Sequence, residues 1–244
     1  MSNPTYVVMQ TRLTILDLLE RRGYAVEPYK AINLQALDTI LSDSTKKHVR
    51  SDSLRMNVAH TKDETKKACV LFLLYPIKAS ITNGSFLASL LKTESEIAKE
   101  EPNTSIVINN DPKVPEFTKV PEFTDVLVNY IPAEANEDIA PYDKVAYQAW
   151  KKYKILIQFF PLGTLVSNPL NHVLQPKFEP ITDKDTKEEI LKFWFAKSAS
   201  QLPLIRFHTD MAARCLGLTP GDFVKITPAS LTAGEYVKYR VCQP

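Results

Sequence analysis

The sequence has few cysteines, few glycines and no long apolar run. Its three cysteines, Cys69, Cys215 and Cys242, are widely spaced, which argues against a disulfide framework and fits a reducing compartment. Because no Cys-x-x-Cys or His-x-x-x-His pair occurs, we expect no structural zinc. The six glycines form no phosphate-binding loop, so a nucleotide site is not expected either.

Membrane and secretory signals are also missing. No apolar stretch approaches the roughly 20 residues that a bilayer span requires, and residues 1–4 lack the basic and apolar segments of a signal peptide. The 44% hydrophobic and 24% charged residues are typical of a folded globular chain. We therefore expect a packed core, no membrane association, no cofactor and no small-molecule substrate.

Charge is unevenly distributed although the net charge is only +2. Residues 46–67 carry seven basic side chains against three acids, whereas 94–143 carry twelve acids against three lysines. A phosphate backbone would be attracted to the first segment and repelled by the second, and two solvated surface segments are the alternative interpretation.

Prolines and a tandem hexapeptide mark part of the acidic segment. Lys-Val-Pro-Glu-Phe-Thr occurs at 113–118 and again at 119–124. Two copies are too few for a repeat architecture, so a duplication in an exposed loop is the simpler interpretation. We predict that 110–143 is an irregular acidic insertion.

Apolar periodicity predicts helices mixed with buried strands in the amino-terminal part. The helices are predicted over 5–22, 31–42 and 84–101. The inward residues predicted for the first helix are Val8, Leu13, Ile15, Leu16 and Leu19. The strands are predicted over 68–75 (closed by Pro76), 105–109 and 126–131. Residues 154–160 fit either a strand or the extension of a helix from Val145, and the whole predicts an α/β layer structure.

A cluster of Pro, Gly, Ser and Asn at 161–169 predicts a domain boundary. Beyond it, residues 182–185 (Thr-Asp-Lys-Asp) resemble a helix start, with an acidic residue three places after a Thr182 cap. The apolar side chains predicted to pack from that helix are Ile190, Leu191, Trp194 and Phe195. Asp210 is expected to cap a second helix that Gly217 ends. Two short strands then flank a Thr-Ala-Gly turn, which makes a compact α+β unit.

This carboxy-terminal stretch carries a family resemblance over about 75 residues. The segments 172–177 (His-Val-Leu-Gln-Pro-Lys) and 200–205 (Ser-Gln-Leu-Pro-x-Ile) are similar to family motifs. Further positions in register are Asp210, Ala213, Leu216, Gly217, Leu218, Gly221, Val224, Lys225, Ile226, Ser230, Thr232, Gly234, Tyr236, Tyr239 and Arg240. Together they resemble the assembly domain of the fifth shared subunit of eukaryotic nuclear RNA polymerases and its archaeal counterpart.

The resemblance implies a non-catalytic subunit of a DNA-directed RNA polymerase. It implies an α/β jaw domain with a nuclease-like layer fold at 1–163 and a small α+β assembly domain at 170–244. The assembly domain would dock on the largest subunit among its polymerase partners, and the jaw would support downstream duplex DNA without base specificity.

Two sets of residues follow from this resemblance and from charge. The docking candidates are Asp210, Gly217, Gly221, Lys225, Thr232, Gly234, Tyr236, Tyr239 and Arg240. The candidates for contact with DNA phosphates are Arg21, Arg22, Lys46, Lys47, Arg50 and Arg55.

Some positions depart from the family pattern. The family usually has proline at Met211, Lys-Arg at 219–220, a basic pair at 228–229 and arginine at Glu235. Because charged rims govern the choice of partner, these losses indicate docking to a changed surface. They are typical of a divergent paralogue, for which we expect the kinetoplastid RNA polymerase I form, nuclear and nucleolar; divergent versions in large DNA viruses are the alternative.

Other function classes have weaker support. Asp52 and Glu64-Thr65-Lys66 resemble the Asp…Glu-x-Lys arrangement of metal-dependent nucleases, but a solvated surface segment is the favoured interpretation of them. Tyr147, Trp150 and Tyr153 fit a packed helix face better than a platform for single strands. His208 is expected in a partly buried polar contact, and a free-standing interaction adaptor is a further class.

Overall fold

The computed structural model describes residues 4–44, 54–77, 123–132, 140–228 and 236–244. Its helices are α1 (Pro4–Arg21), α2 (Leu34–Ser44), α3 (Ala140–Tyr153), α4 (Lys184–Phe193) and α5 (Met211–Leu216). Its strands are β1 (Met56–Ala59), β2 (Lys67–Ile77), β3 (Asp125–Pro132), β4 (Leu156–Pro161), β5 (Lys177–Ile181), β6 (Leu204–Arg206), β7 (Phe223–Thr227) and β8 (Lys238–Gln243). The helix predicted over 84–101 and the strand over 105–109 lie outside the described residues.

The first sheet has the strand order β1-β2-β3-β4, with β1 antiparallel to β2 and the other neighbours parallel. Both of its faces are covered. Val70 and Phe72 pack with α1 and α2, whereas Cys69 and Leu71 pack with α3. A strand that is buried on both faces gives the continuous apolar run seen in the sequence. We call this part, up to residue 163, the amino-terminal region.

Two strand predictions were incomplete at their ends. Strand β2 does not stop before Pro76 but continues to Ile77, with a register shift between Leu73 and Pro76. Such a bulge accommodates a residue that has no amide hydrogen. The ambiguous segment 154–160 is a strand from Leu156 onward, because α3 ends at Tyr153 and Lys154 turns the chain with a φ of +59°.

The prediction of an insertion over 110–143 was wrong for its described residues. Strand β3 occupies a central position in the first sheet, and α3 begins at Ala140. Phe123, which belongs to the second hexapeptide copy, is only 8% exposed and packs in the core rather than in an exposed loop. Residues 110–122 and 133–139 lie outside the described part of the chain.

Two apolar residues of the first helices point to solvent. Leu13 is 41% exposed and Leu34 is 48% exposed. Helix α1 instead buries Arg12, whose guanidinium donates to the carbonyl oxygen of Tyr29 at 3.2 Å. The other predicted inward residues of α1 are buried, so the helix faces the core as expected.

The second sheet has the order β5-β7-β8-β6, antiparallel except for the β6–β8 pair. Helix α5 packs against one face and α4 against the other. Asp183 caps α4 by accepting from the amide of Thr186 at 2.8 Å, and Asp210 caps α5 by accepting from Ala212 at 2.8 Å. The Asp210 cap was predicted, whereas α4 is capped by Asp183 and not by Thr182, the residue that the sequence pattern favoured. We call residues 170–244 the carboxy-terminal region.

The packing predicted for Trp194 and Phe195 was wrong. Helix α4 ends at Phe193, so these two residues leave the face that periodicity assigned to them. Trp194 is 50% exposed and Phe195 is 94% exposed. Across the described residues, none of the helices is long and apolar enough to span a membrane.

Candidate docking surface and domain interface

Arg22 follows α1 and reaches into the carboxy-terminal region. Its Nη2 donates to the carbonyl oxygens of Arg214 (2.5 Å) and Cys215 (3.1 Å), and its Nε donates to Cys215 at 3.2 Å. These carbonyls belong to the last turn of α5, where the helix end carries partial negative charge. The guanidinium therefore acts as a charged cap on a helix from the other region.

Gly217 makes this approach possible. It ends α5 with a φ of +69°, a left-handed conformation that side chains disfavour. A Cβ at this position would lie 3.0 Å from the Cζ and Nε of Arg22. Both the backbone angle and the close contact therefore call for glycine, which gives a structural reason for one predicted docking residue.

The free edge of β4 is covered by side chains of the carboxy-terminal region. The amide of Phe159 donates to Nε2 of His208 at 3.0 Å, and Nη1 of Arg214 donates to the carbonyl oxygen of Phe159 at 2.8 Å. Gln158 donates to the carbonyl of Arg214 at 2.7 Å and accepts from Arg22 at 2.9 Å. The two bonds of Phe159 satisfy backbone groups that an edge strand would otherwise leave open, and the Gln158 side chain adds further bonds across the interface.

His208 is 3% exposed, and its hydrogen bonds define its tautomer. Since Nε2 accepts from the amide of Phe159, the proton is on Nδ1, which donates to Asp143 at 2.5 Å. Burial and the nearby Arg214 charge lower the pKa of His208, and Asp143 only partly opposes them. Burial raises the pKa of Asp143, but hydrogen bonds from His208 and Thr209 outweigh it and hold that pKa below its usual value.

Apolar packing supports the same interface. Ala146 of α3 and Leu156 of β4 share a cluster with Phe207, Ala213 and Leu218. Tyr147 and Trp150 pack against this cluster as the predicted helix face, and the ammonium of Lys154 lies 5.2 Å from the Trp150 ring centroid. The two regions thus meet through hydrogen bonds and a continuous apolar contact.

The structure brings two predicted docking residues together on one sheet face. Lys225 of β7 is in register with Tyr239 of β8, and Glu179 of β5 is in register with Lys225. The Lys225 ammonium lies 3.4 Å from the Glu179 carboxylate. Because paired residues share a side of the sheet, these three form a partly exposed polar area beside α4. We call it the docking face.

The other docking candidates are placed differently. Asp210 and Gly217 serve the ends of α5, and Gly221 has a φ of +99° in the turn before β7. Arg240 lies on the opposite side of the sheet and donates to the carbonyl of Leu204 at 3.3 Å. Tyr236 is 54% exposed, and the Lys238 ammonium lies 5.2 Å from its ring centroid. Thr232 and Gly234 lie outside the described residues.

The six phosphate candidates do not form one group. Arg21 is exposed, pairs with Asp17 at 3.2 Å and donates to Asn171 at 2.8 Å. Arg55 stacks 5.5 Å from the Phe123 ring centroid. Lys46, Lys47 and Arg50 lie outside the described residues. Arg22 is engaged at the interface instead, which corrects the role that we expected for it.

An open groove of about 830 Å³ runs along the junction of the two regions. Arg21, Lys66, Lys154 and Lys177 are among the basic residues that line it, and Asp222 is one of its two acids. Asp222 is already engaged, since it accepts from the Thr219 amide and hydroxyl at 2.7 Å. Basic residues therefore outnumber acids along the groove, although Arg21, Lys66 and Lys177 are themselves ion-paired with Asp17, Asp63 and Glu179.

The nuclease-like residues do not assemble within the described part of the chain. Glu64 and Lys66 lie in the turn between β1 and β2, and the Lys66 ammonium pairs with Asp63 at 3.8 Å. Asp52 lies outside the described residues. Where side chains are described, no three of the residue types His, Cys, Asp and Glu are grouped to hold a metal ion.

Sequence reasoning missed Gln158 and Arg214 as interface residues, although both left a signal. Gln158 is the lone polar residue of the apolar run 155–160, and Arg214 stands between buried alanines and a buried cysteine in α5. A polar side chain inside an otherwise apolar face usually has a specific partner. The partners themselves come from distant parts of the chain.

Comparison with known proteins shows similarity in the carboxy-terminal region. The family model described as RNA polymerase Rpb5, C-terminal domain, matches residues 167–242. A relative from the archaeon Archaeoglobus fulgidus, DNA-directed RNA polymerase subunit Rpo5, is 46% identical over 71 residues, which cover 29% of this chain and 90% of that protein.

Two eukaryotic relatives extend the similarity. Subunit rpabc1 of DNA-directed RNA polymerases I, II and III from Dictyostelium discoideum is 33% identical over 153 residues, which cover 60% of this chain and 76% of the relative. The Caenorhabditis elegans protein of the same name is 27% identical over 243 residues, which cover 97% of this chain and 96% of the relative. The similarity therefore spans both regions.

Proposed function

This chain belongs to the Rpb5 family of DNA-directed RNA polymerase subunits, and from that premise we propose that its carboxy-terminal domain docks on the largest polymerase subunit and thereby positions its amino-terminal domain as a jaw beside downstream DNA. The chain is a non-catalytic component of a transcribing enzyme, and other polymerase subunits are its partners. Nucleotidyl transfer would belong to the large subunits.

One observation carries the proposal. Arg22, Gln158, Arg214 and His208 join the two regions through hydrogen bonds between side chains and backbone groups. A rigid junction of this kind means that fixing one domain also fixes the direction of the other. A non-catalytic subunit is suited to such a positioning task.

Contact between the jaw and DNA would be electrostatic. Arg21 and Arg55 remain candidates for phosphate contact, together with Lys46, Lys47 and Arg50 from the basic segment. Such contacts position a duplex without reading its sequence, and their affinity falls steeply with salt. Arg22 is left out because its donors face carbonyl groups.

The class of polymerase is a finer part of the proposal. The departures from the family pattern at Met211, 219–220, 228–229 and Glu235 support a specialised paralogue that serves RNA polymerase I. The relatives from eukaryotes support a nuclear location, and the polymerase I assignment would make it nucleolar.

The test is affinity purification of the tagged full-length chain, with identification of the co-purifying proteins by mass spectrometry. We expect the two large catalytic subunits of one polymerase class, and their identity names the class. A soluble, folded bait that recovers no catalytic subunit would contradict the proposal and favour an adaptor outside transcription.

A further inference from the structure

Three consecutive aromatic residues, Phe193, Trp194 and Phe195, are exposed where α4 ends. Their exposed fractions are 75%, 50% and 94%. We call them the aromatic patch. Isolated apolar side chains on a surface are common, but contiguous exposed aromatics usually mark an interaction site.

The backbone at Phe195 strengthens this interpretation. Its φ is +50°, in the left-handed region that glycine normally occupies at a helix end. The amide of Ala196 donates to the carbonyl of Leu191 at 2.9 Å, which closes the helix through this one residue. An aromatic side chain here strains the backbone and gains almost no burial. Folding of the free chain therefore gives no reason for it.

The aromatic patch continues the docking face. Leu191 and Ala196, on either side of the patch, pack in the same cluster as Tyr239. A shallow depression beside it is lined by Glu188, Leu191, Lys192, Phe195 and Ala196. A partner bound over Tyr239 would therefore lie within reach of the aromatic rings.

The charges beside the patch are mainly positive, with two lysines against one acid, Glu188, in the depression. Lys192 and Lys197 bracket the aromatics, with no acid between them. Lys177, Lys187 and Lys225 of this region pair with Glu179 or Asp222. Among the described residues, by contrast, neither Lys192 nor Lys197 forms an ion pair. The rim of the patch is thus complementary to an acidic partner.

The ring geometry favours a protein over single-stranded nucleic acid. The rings of Phe193 and Trp194 pack edge to face, with centroids 5.8 Å apart and planes 82° apart. Successive bases stack on exposed, roughly parallel ring faces, which this arrangement does not offer. Buried aromatic anchors are typical of protein interfaces.

We propose that the aromatic patch anchors an acidic segment with apolar side chains on the polymerase subunit to which the docking face binds. This inference rests on the proposed function and assigns a contact within it. The rings would insert between apolar side chains of the partner, while Lys192 and Lys197 meet its carboxylates.

Phe195→Gly separates folding from docking. Because glycine suits the left-handed backbone, the variant should unfold at the same temperature as the parent chain or a higher one. Purification of polymerase through the tagged full-length variant, washed over a series of salt concentrations, should recover at least about tenfold less of the large subunits. Trp194→Ala should act in the same direction. Val173→Ala, a truncation of another exposed apolar side chain (93% exposed), is the matched control and should change neither quantity.

A photoreactive benzoylphenylalanine in place of Phe195 identifies the occupant. We expect a cross-link to an acidic segment of a large polymerase subunit. A cross-link to nucleic acid or to a second copy, or unchanged recovery with Phe195→Gly, would overturn this inference alone. Absence of polymerase from the wild-type purification would instead contradict the proposed function, and this inference with it.

Discussion

The two sheets protect their free edges in different ways. Edge strand β4 of the amino-terminal region is covered by His208 and Arg214, which the carboxy-terminal region supplies. Edge strand β5 of the carboxy-terminal region carries Pro180 and is preceded by Pro176, neither of which has an amide hydrogen to offer another strand. One edge is protected by a neighbouring region and the other by its own sequence.

This contrast implies that the two regions depend on each other unequally. The archaeal relative matches about 71 residues of this chain over 90% of its own length, so a unit of this kind exists with little else attached. Without its neighbour, the amino-terminal region would expose backbone groups of β4 and apolar residues of β4 and α3. The amino-terminal region therefore depends on the carboxy-terminal region for its stability more than the reverse.

Separating the two regions into fragments should have the largest effect on folding and association. We expect a fragment of residues 167–244 to be monomeric and to unfold cooperatively. A fragment of residues 1–166 should associate or lose its cooperative transition, because the edge of β4 is exposed. Circular dichroism during heating and analytical ultracentrifugation measure both. A monomeric 1–166 fragment that unfolds at the temperature of the intact chain would contradict the unequal dependence.

Two adjacent arginines allow the interface to be tested by single substitutions. Arg22→Met removes the bonds to the α5 carbonyls and to Gln158, and should lower the free energy of unfolding by about 3 kcal/mol. The matched variant Arg21→Met removes an exposed ion pair with Asp17 and an exposed hydrogen bond to Asn171, and should cost about 1 kcal/mol or less. Urea denaturation measures both, and equal effects would show that Arg22 is not special.

A substitution at the helix end that Arg22 contacts should have a smaller effect on the free energy of unfolding. Gly217→Ala places a Cβ at a φ of +69° and 3.0 Å from the Arg22 guanidinium, so we expect a loss of about 1–2 kcal/mol of stability. Gly163→Ala is the control, since a Cβ there meets no atom within 4 Å. The difference between the two variants in urea denaturation checks the contact; similar values would count against it.

Acidification should weaken the interface modestly through His208. Its pKa is lower in the folded chain than the ordinary value near 6.5, so the unfolded chain takes up the proton first as pH falls. The stabilisation is complete above about pH 6.5 and decreases below it, by at most about 1.4 kcal/mol per pH unit. Asp143 contributes only at a lower pH, because its folded pKa lies below its ordinary value near 4.

Urea denaturation at several pH values between about 5 and 7 measures this dependence. His208→Gln should reduce the slope of stability against pH. An unaltered slope in His208→Gln would mean that another group senses the acid.

Local patterns predicted much of the fold. The apolar runs of β2 and β3, and the Asp210 cap, follow from rules that act within a few residues, and the start of α4 was predicted to within one residue. The exposed positions of Trp194 and Phe195 were missed because periodicity carries no information on where α4 stops. A Phe in a left-handed helix end is contrary to residue preferences, and such exceptions tend to occur at functional sites.

The interface could not be predicted from such rules. Arg22 was correctly placed near the end of α1, yet its partners in α5 are more than 190 residues away in the sequence. Likewise, His208 was expected in a polar contact, but only the fold supplies Phe159 and Asp143 as its partners. Contacts of this kind depend on how the two regions assemble.

The most direct test of a rigid two-domain subunit is the distance between the domains. Spin labels on Lys62→Cys and Lys184→Cys, two exposed sites in different regions, can be introduced while the native cysteines stay buried. Double electron–electron resonance should give one narrow distance distribution, the same in the free chain and in purified polymerase, and Arg22→Met should broaden it. A broad or multiple distribution in the unmutated chain would contradict the claim that docking one domain positions the other.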